Sequence, residues 1–248
     1  IDIGNTNTVL AIYKNKILIK KKRISSKPIE FKKNIKKYFE NYNKKLSKLN
    51  VQKKCIISSV VPSLNILVKN VALKNSFNFF FLNFNNIPFN LNIKYELNKI
   101  GADRIANYIA VIKSNYNNSI IVDFGTATTF DVIKNNTYEG GLIFPGVNIA
   151  LNSLINNAAL LKKTKIIKIK KIVSTNSHNS IQSGFYWGYL SVVNGIINKI
   201  IKEKKFKPKI ILTGGLSYIF KSQIILNPII DENLTLEGLR IIGEKIYE

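Results

Sequence analysis

Aspartate is rare in this chain, and most of its aspartates fall within three short polar segments. Four of the five aspartates lie in segments rich in Gly, Thr and Asn, namely Asp2-Ile-Gly-Asn-Thr-Asn, Gly101-Ala-Asp-Arg and Asp123-Phe-Gly-Thr-Ala-Thr-Thr-Phe-Asp. The middle segment also contains Arg104, one of only three arginines. A carboxylate at a tight turn can hold magnesium or accept a proton, and a guanidinium can bind an anionic group. These segments are therefore the first candidates for a functional site.

The first and third segments have the composition of a phosphate-binding turn. In each, a predicted strand ends in Asp-x-Gly and small hydroxyl or amide residues follow. Glycine lets the main chain approach a ligand closely, and the next backbone N–H groups can bind phosphate oxygens. The aspartate can hold the magnesium ion that bridges nucleotide oxygens, directly or through water. A single Asp-x-Gly is more often only a turn, whereas two matched copies indicate nucleotide binding.

The two turns belong to an internal duplication. The segment that begins at Asp2 returns 121 residues later at Asp123, and each copy is followed by an apolar stretch and a polar turn. Each half then reads as a meander followed by helix, strand and helix. We therefore predict an α/β protein of two lobes, residues 1–117 and 118–248, each a mixed sheet flanked by helices. We expect the two turns to face each other across a cleft and to bind the same triphosphate.

Hydrophobic spacing predicts the elements that carry these segments. Helices are predicted over 30–49, from Pro62, and over 101–116, 146–161 and 179–204; strands are predicted over 54–61, 165–173 and 209–212. The helix over 101–116 places Asp103 and Arg104 in its first turn. A carboxylate there can also act simply by stabilising the helix dipole, which is worth only about 0.3–1 kcal/mol.

The net charge of +24 does not by itself indicate nucleic-acid binding. Of the 38 basic residues, 35 are lysine and three are arginine. Recognition of base edges and bidentate binding of phosphate depend largely on arginine. An AT-rich genome, which favours the codons of Ile, Asn and Lys, explains the lysine excess more simply. We expect no specific nucleic-acid partner, and nonspecific affinity for polyanions stays open.

Several other classes of protein are excluded by the absence of their motifs. The chain has no G-x-x-x-x-G-K-[ST] loop, no G-x-G-x-x-G turn, no H-R-D loop and no G-x-S-x-G elbow. Its single histidine and single cysteine cannot form a zinc site or a catalytic Cys-His pair. No apolar run approaches the roughly 18 residues that span a bilayer, and the sequence as given starts without an apolar leader. We therefore expect no membrane association and a cytoplasmic location.

Seven segments together resemble the type III pantothenate kinases, which belong to the superfamily of acetate and sugar kinases, chaperone ATPases and actin. They are DIGNTNT at 2–8, SSVVP at 58–62, GADRIAN at 101–107, DFGTATTFD at 123–131, GGLIFPG at 140–146, QSGFYWG at 182–188 and TGG at 213–215. The resemblance implies two ribonuclease-H-like lobes with the active site in the cleft between them. It also implies ATP-dependent phosphorylation of pantothenate, the first step of coenzyme A biosynthesis, by a homodimer whose substrate pocket lies at a subunit contact.

The resemblance also implies roles for individual residues. Asp103 would be the general base, and Asp123 would hold a monovalent cation, either potassium or ammonium. Asp2 would hold magnesium, directly or through water. The residues expected to bind ATP are Asp2, Ile3, Gly4, Asn5, Thr6, Asn7, Thr8, Val9, Thr126, Gly214 and Gly215. The residues expected to bind pantothenate are Tyr95, Gly101, Ala102, Asp103, Arg104 and Ser177.

Three features depart from the family pattern. Ser177 stands where the family usually has threonine, so the hydroxyl is kept and the methyl is lost. The segment Tyr95-Glu-Leu-Asn-Lys-Ile lacks the usual proline and is one residue shorter. The sequence begins at Ile1, and we expect the first strand to start before it. Two alternatives stay open: a non-catalytic regulatory or nucleic-acid-associated protein of the same fold, and a kinase of another small alcohol or sugar.

Overall fold

Residues 1–46, 52–96, 99–158 and 160–247 are described by the computed structural model of the chain. The strands are β1 (Asp2–Ile3), β2 (Asn7–Lys14), β3 (Ile17–Ser25), β4 (Lys54–Ser59), β5 (Asn78–Phe81), β6 (Asn92–Ile93), β7 (Ser119–Phe124), β8 (Ala127–Lys134), β9 (Thr137–Pro145), β10 (Lys209–Thr213) and β11 (Ile229–Ile230). The helices are α1 (Pro28–Leu46), α2 (Pro62–Lys74), α3 (Ala102–Lys113), α4 (Val147–Asn156), α5 (Ser177–Lys204), α6 (Ser217–Phe220) and α7 (Leu234–Tyr247).

The two sheets have the same topology, which confirms the predicted duplication. The first sheet has the order β3-β2-β1-β4-β5, with an antiparallel meander of β1 to β3 and with β4 and β5 parallel to β1. The second has the order β9-β8-β7-β10-β11, with the same directions, and β6 is added beside β9. Each is a mixed sheet that opens with a meander and has flanking helices. The predicted α/β fold of two duplicated lobes is therefore confirmed.

The described residues form two compact units whose boundaries differ from the predicted division at three places, namely residues 92–94, 115–117 and 234–248. Unit 1 lies within residues 1–91, 95–114 and 234–248, and unit 2 lies within 92–94 and 115–233. The chain thus returns to unit 1 at α7, which packs on α3 and β4. A Cβ at Gly238 of α7 would overlap the Ala106 carbonyl of α3, so the two helices meet at backbone distance. Residues 92–94 join unit 2 because β6 pairs with β9.

The core of unit 1 is formed by the meander and the two helices that follow it. Ile3, Leu10 and Ile24 of the meander pack in one buried cluster with residues of α1 and α2. Those residues recur every four positions, as one face of a helix requires: Phe31, Ile35 and Phe39 in α1, and Leu64, Val68 and Ala72 in α2. Burying each large apolar side chain is worth about 1.5–3 kcal/mol, so this face fixes the helices against the sheet.

The core of unit 2 places aromatic rings behind the end of β7. Phe124, the last residue of β7, stacks on Phe220 of α6 with ring centroids 4.9 Å apart. Tyr186 of α5 also stacks on Phe220, with ring centroids 5.8 Å apart. The Tyr189 hydroxyl donates a hydrogen bond to the Pro145 carbonyl at the end of β9. These contacts hold the residues around the second aspartate turn in place.

The strand predicted over 165–173 is wrong. These residues have no regular secondary structure, although Ile166 is buried as the alternation requires. Side chains of α5 bind the carbonyls that a strand would pair: Gln182 donates to the Lys165 carbonyl and Ser183 to the Ile172 carbonyl. Side chains of a helix thus provide the hydrogen bonds of these two carbonyls, and residues 165–173 pair with no strand among the described residues. The other predicted elements exist with shifted ends, and residues 47–49 and 159 of two predicted helices lie outside the described residues.

Lysines on the edge strand β3 explain part of the basic composition structurally. Lys20, Lys21 and Lys22 are all exposed, and β3 has a partner on one side only. Charged side chains on an edge strand disfavour pairing with a strand of another molecule. None of the described helices combines the length and the hydropathy needed to cross a membrane.

Candidate active site

The first aspartate turn is a closed loop between β1 and β2. The Gly4 N–H donates to the Asn7 carbonyl at 3.1 Å, and a Cβ at Gly4 would lie 3.0 Å from that same oxygen. Asn5 and Thr6 are exposed at the tip, whereas Ile3 and Thr8 are buried where the strands pair. Asp2 and Val9, paired across the two strands, complete the segment. The loop therefore presents a solvent-facing tip between two fixed ends, as a phosphate-binding loop requires.

Asp2 and Asp103 belong to one electrostatic cluster in unit 1. The pKa of Asp2 is raised to about 6, first by burial and second by the negative charge of Asp103. Burial also raises the pKa of Asp103 above the usual range of an aspartate, against the opposing effects of the Arg104 N–H and guanidinium. Two carboxylates that disfavour each other's ionisation attract a cation or hold a proton. This is a place where a magnesium ion or a proton transfer fits.

We expect Asp2→Asn to stabilise the protein without nucleotide, and more so at high pH. The folded pKa of Asp2, about 6, lies above its ordinary value of 3.8, so the folded state binds the proton more tightly. The carboxyl therefore supports folding below pH 4, and this support is lost as the pH rises through 6. Thermal unfolding at pH 8 should show a higher Tm for the variant, and the gain should shrink at pH 4.5. An equal shift at both pH values would contradict the raised pKa.

Asp103 lies at the mouth of α3, and Gly101 makes room for it. Gly101 is the N-cap residue with extended backbone, and Asp103 in the first turn accepts the Arg104 N–H at 2.8 Å through Oδ1. A Cβ at Gly101 would overlap that same Oδ1 atom. Ala102 beside it is buried. The sequence Gly-Ala-Asp therefore fixes the carboxylate in one place, and only glycine at position 101 permits it.

The structure brings Tyr95 and Arg104, two residues expected to bind pantothenate, into contact. The Arg104 guanidinium carbon lies 5.6 Å from the centre of the Tyr95 ring, within the range of a cation–π contact. Arg104 is only 6% exposed. Tyr95, Gly101, Asp103 and Arg104 thus form one cluster in unit 1, while Ser177 opens α5 in unit 2, exposed and next to its N-cap Asn176.

Two residues of α7 contact α3 next to Asp103, and the sequence analysis did not predict them. The Thr235 hydroxyl donates to Asn107 Oδ1 at 2.8 Å, and Asn107 is almost fully buried one turn after Asp103. Gly238 lies against the Ala106 carbonyl in the same contact. No helix was predicted over these residues, so Gly238, a glycine that makes a close packing contact inside a helix, gave no usable signal. Ser26, which contacts the first loop, also left no signal in the sequence.

The second aspartate turn encloses the Asp123 carboxylate between glycines. Gly214 directly follows β10, whose last residue pairs with Asp123. Its φ is +85°, and a Cβ there would overlap Asp123 Oδ1 and the Phe124 backbone. A Cβ at Gly125 would lie 3.3 Å from the same Oδ1. Thr126 is partly exposed, Gly215 is exposed, and the Gly125 N–H closes the turn on the Ala127 carbonyl at 3.0 Å.

This cradle fits a hard cation better than a transition metal. Asp123 supplies a carboxylate oxygen between Gly125 and Gly214, and oxygen is the ligand that hard cations prefer. Within the described ranges, no group of three or more His, Cys, Asp and Glu side chains is placed to hold a metal ion. A single carboxylate at each turn leaves most ligand positions of a hard cation to be filled by other oxygen atoms, such as those of phosphates or water.

Solved structures define the class of protein to which this fold belongs. The chain is similar to a putative Baf family transcriptional activator from Campylobacter jejuni, with a TM-score of 0.61, 22% identity and coverage of 99% of this chain and 97% of that chain. It is also similar to a ROK hexokinase from Thermus thermophilus, with a TM-score of 0.52, 11% identity and coverage of 100% and 98%. At these identities the likeness concerns the fold alone. The chain therefore shares its fold with both of these proteins.

The family is defined by closer relatives. The family model of the type III pantothenate kinases matches residues 1–199. The type III pantothenate kinase of Pelagibacter ubique is 37% identical over 96% of this chain and 95% of its own length. That of Halalkalibacterium halodurans is 35% identical over 99% and 98%. The chain belongs to the type III pantothenate kinases. The predicted family is therefore confirmed, and the description of the Campylobacter jejuni protein as a transcriptional activator does not carry over, because at 22% identity the likeness concerns the fold alone.

Proposed function

We propose that this chain transfers the γ-phosphoryl group of ATP to the terminal hydroxyl of pantothenate, the first step of coenzyme A biosynthesis. The observation that carries the proposal is the cluster at the mouth of α3 in a chain that belongs to this family. There Asp103 is held by Gly101 and the Arg104 N–H, and burial raises its pKa. A base with a raised pKa is better matched to neutral pH than an ordinary aspartate.

Asp103 acts as the general base in this proposal. The hydroxyl oxygen of pantothenate forms a bond to the γ-phosphorus while the bond from that phosphorus to the β,γ-bridging oxygen breaks. The hydroxyl proton passes to Asp103, and ADP leaves. Arg104 and Tyr95 line the acceptor pocket with Gly101 and Ala102, and the guanidinium suits the negative charge of the acceptor. Phosphoryl transfer needs mainly such positioning and charge neutralisation.

ATP is bound in this proposal by the first loop, residues 2–9, and by Thr126, Gly214 and Gly215. That both turns bind the same triphosphate stays a prediction. Asp2 would hold magnesium, directly or through water, and Asp123 would hold potassium or ammonium in its glycine cradle. When bound, these cations neutralise the negative charge of the phosphates. We place the reaction in the cytoplasm, where ATP is supplied.

A homodimer is also part of the proposal, with Ser177 reaching the pantothenate pocket at the subunit contact. Large apolar side chains of unit 2 support it because they are exposed on consecutive elements, β9 and α4: Leu142, Ile143, Ile149 and Leu154. Ile143 is the most exposed of them, at 66%. Exposed large apolar residues on consecutive elements favour a surface that another protein covers.

Ile143→Glu should therefore convert the dimer to a monomer, because the interface would bury an unpaired charge. Ile17→Glu is the matched control, since Ile17 on β3 of unit 1 is 67% exposed and should leave the dimer intact. Analytical ultracentrifugation of the wild type and both variants measures the effect. A monomeric wild type at tens of micromolar, or the same result for both variants, would argue against this surface.

An assay of ADP release tests the activity and its substrate. The purified protein should release ADP in the presence of pantothenate, and not with glycerol, glucose or acetate in its place. The rate should rise when potassium replaces sodium. ADP release with a sugar or another alcohol and none with pantothenate would assign the chain to a different kinase activity. A rate of ADP release that is the same in potassium and in sodium would contradict the proposal that Asp123 holds potassium.

A further inference from the structure

Ser26 lies outside the first phosphate loop and makes three hydrogen-bond contacts to it. It follows the last residue of β3 and is only 5% exposed. Its backbone N–H donates to the Thr6 carbonyl at 3.1 Å, and its hydroxyl donates to the Gly4 carbonyl at 2.6 Å. The same hydroxyl oxygen lies 2.9 Å from the Thr8 hydroxyl oxygen. Ser26 thus contacts the start, the tip and the end of the loop.

The direction of these hydrogen bonds follows from the number of protons. A serine hydroxyl has one proton, and that of Ser26 is given to the Gly4 carbonyl. The hydroxyl of Thr8 must then be the donor to Ser26. Thr8 is fully buried, so its hydroxyl is committed to this contact and not to a phosphate. The part of Thr8 in ATP binding is therefore to fix the loop, together with Ser26.

The duplicated unit has a contact at the equivalent place. In unit 2 the residue after β9 is Gly146, as Ser26 is the residue after β3. A Cβ at Gly146 would overlap the Thr126 carbonyl and lie 2.9 Å from the Gly125 carbonyl. Gly125 corresponds to Gly4 in the repeat, whose carbonyl accepts the Ser26 hydroxyl. The end of the third meander strand therefore fixes the loop in both units, by a hydroxyl in one and by close backbone approach in the other.

We propose that Ser26 is a positioning residue that holds the first loop in its ATP-binding conformation. The inference rests on the proposed function, because it takes residues 2–9 as the ATP loop. Asn5 and Thr6 are exposed at the tip of a glycine turn, so the loop needs contacts outside itself to stay in one conformation. A loop that is already ordered loses less conformational entropy on binding, which strengthens binding.

The test is the binding of a non-hydrolysable ATP analogue, adenylyl imidodiphosphate with magnesium, by calorimetry. Ser26→Ala removes the hydroxyl and should weaken binding about tenfold, as expected for one lost hydrogen bond within a coupled set. Ser26→Cys keeps nearly the same volume with a weak donor, so it should weaken binding to a similar degree and decides the question if the alanine variant fails to fold. Ser26→Thr keeps the hydroxyl and should stay within about threefold of the wild type.

Ser25→Ala is the matched control, because the neighbouring Ser25 hydroxyl accepts only from the Lys27 N–H among the contacts described for it. It should bind the analogue as the wild type does. In turnover, Ser26→Ala should raise KM for ATP and leave KM for pantothenate unchanged. Wild-type binding by folded Ser26→Ala or Ser26→Cys, or equal losses in the threonine and alanine variants, would overturn the proposal. Analogue binding is measured without pantothenate, so a failure of pantothenate phosphorylation would appear separately, in the turnover assay of the wild type.

Discussion

Asp103→Asn should lower kcat by about a hundredfold to ten-thousandfold while the protein stays folded. Asparagine has nearly the same shape and its side-chain oxygen can still accept the Arg104 N–H, as Oδ1 of Asp103 does. It cannot take the proton of the acceptor hydroxyl, and the loss of a general base typically has an effect of this size. The measurement is kcat with saturating ATP and pantothenate.

The stability of this variant separates catalysis from folding. Burial raises the pKa of Asp103, which means that its charged form is disfavoured in the folded protein. The variant should therefore have a Tm at neutral pH equal to or above that of the wild type. Asp231→Asn makes the same chemical change in unit 2, where the carboxylate accepts the Asn233 N–H, and should keep full kcat. Unchanged kcat in Asp103→Asn would remove Asp103 from the role of base.

The pH profile gives an independent measure of the same group. The base must be ionised to accept a proton, so kcat should fall on the acid side as Asp103 becomes protonated. Because its pKa is raised, this fall should lie above the usual range of an aspartate. Asp103→Asn should lose that acid limb together with the rate.

Gly101→Ala should lower kcat about a hundredfold by moving the base rather than removing it. A Cβ at position 101 would overlap Asp103 Oδ1, so the carboxylate has to shift. A displacement of about 1 Å can cost a hundredfold in rate when groups must be aligned for reaction. The backbone of Gly101 is extended with a negative φ, which alanine adopts without strain, so the fold should be kept.

A double variant shows whether the two changes act through one group. If Gly101→Ala acts by displacing Asp103, then the combination with Asp103→Asn should be no slower than Asp103→Asn alone. Multiplied effects in the double variant would contradict this. Gly195→Ala is the control for the substitution itself, because a Cβ there meets no atom within 4 Å in the middle of α5. That control should keep full kcat and gain about 0.5–1 kcal/mol in stability.

The repeat of the aspartate turns predicts the architecture well because it reports a duplicated backbone. Asp2 and Asp123 are each the next-to-last residue of the first strand of a meander, and both sheets continue in the same order. The return of the chain to unit 1 at α7 was not predictable in this way. Its contact with α3 joins residues more than a hundred positions apart, and Gly238 against Ala106 leaves no periodic pattern.

The strand predicted over 165–173 shows the limit of alternating hydrophobicity. Alternation indicates that one side of a segment is buried, which Ile166 satisfies, but it does not show that a neighbouring strand exists. Here the carbonyls of Lys165 and Ile172 are bound by side chains of α5. Side chains on a helix thus take the place of the hydrogen bonds of a neighbouring strand. The sequence of the segment does not distinguish these two kinds of partner.

The residues of the candidate site that belong to sequence motifs were predictable. The Gly-Ala-Asp-Arg segment predicts a carboxylate and a guanidinium in the first turn of a helix, and α3 has both there. The supporting residues were not predictable, because Ser26 and Thr235 act through single hydrogen bonds to distant parts of the chain. Serine and threonine are common at loops and helix starts, so neither differs from its surroundings in the sequence.

Mass spectrometry of pantothenate after incubation with the protein, ATP, magnesium and potassium tests the central claim most directly. We predict that pantothenate gains the mass of one phosphoryl group, with one ADP formed for each molecule converted. The Asp103→Asn protein, treated in the same way, should leave pantothenate unchanged. Unmodified pantothenate with the wild-type protein, whether or not ATP is hydrolysed, would contradict the account.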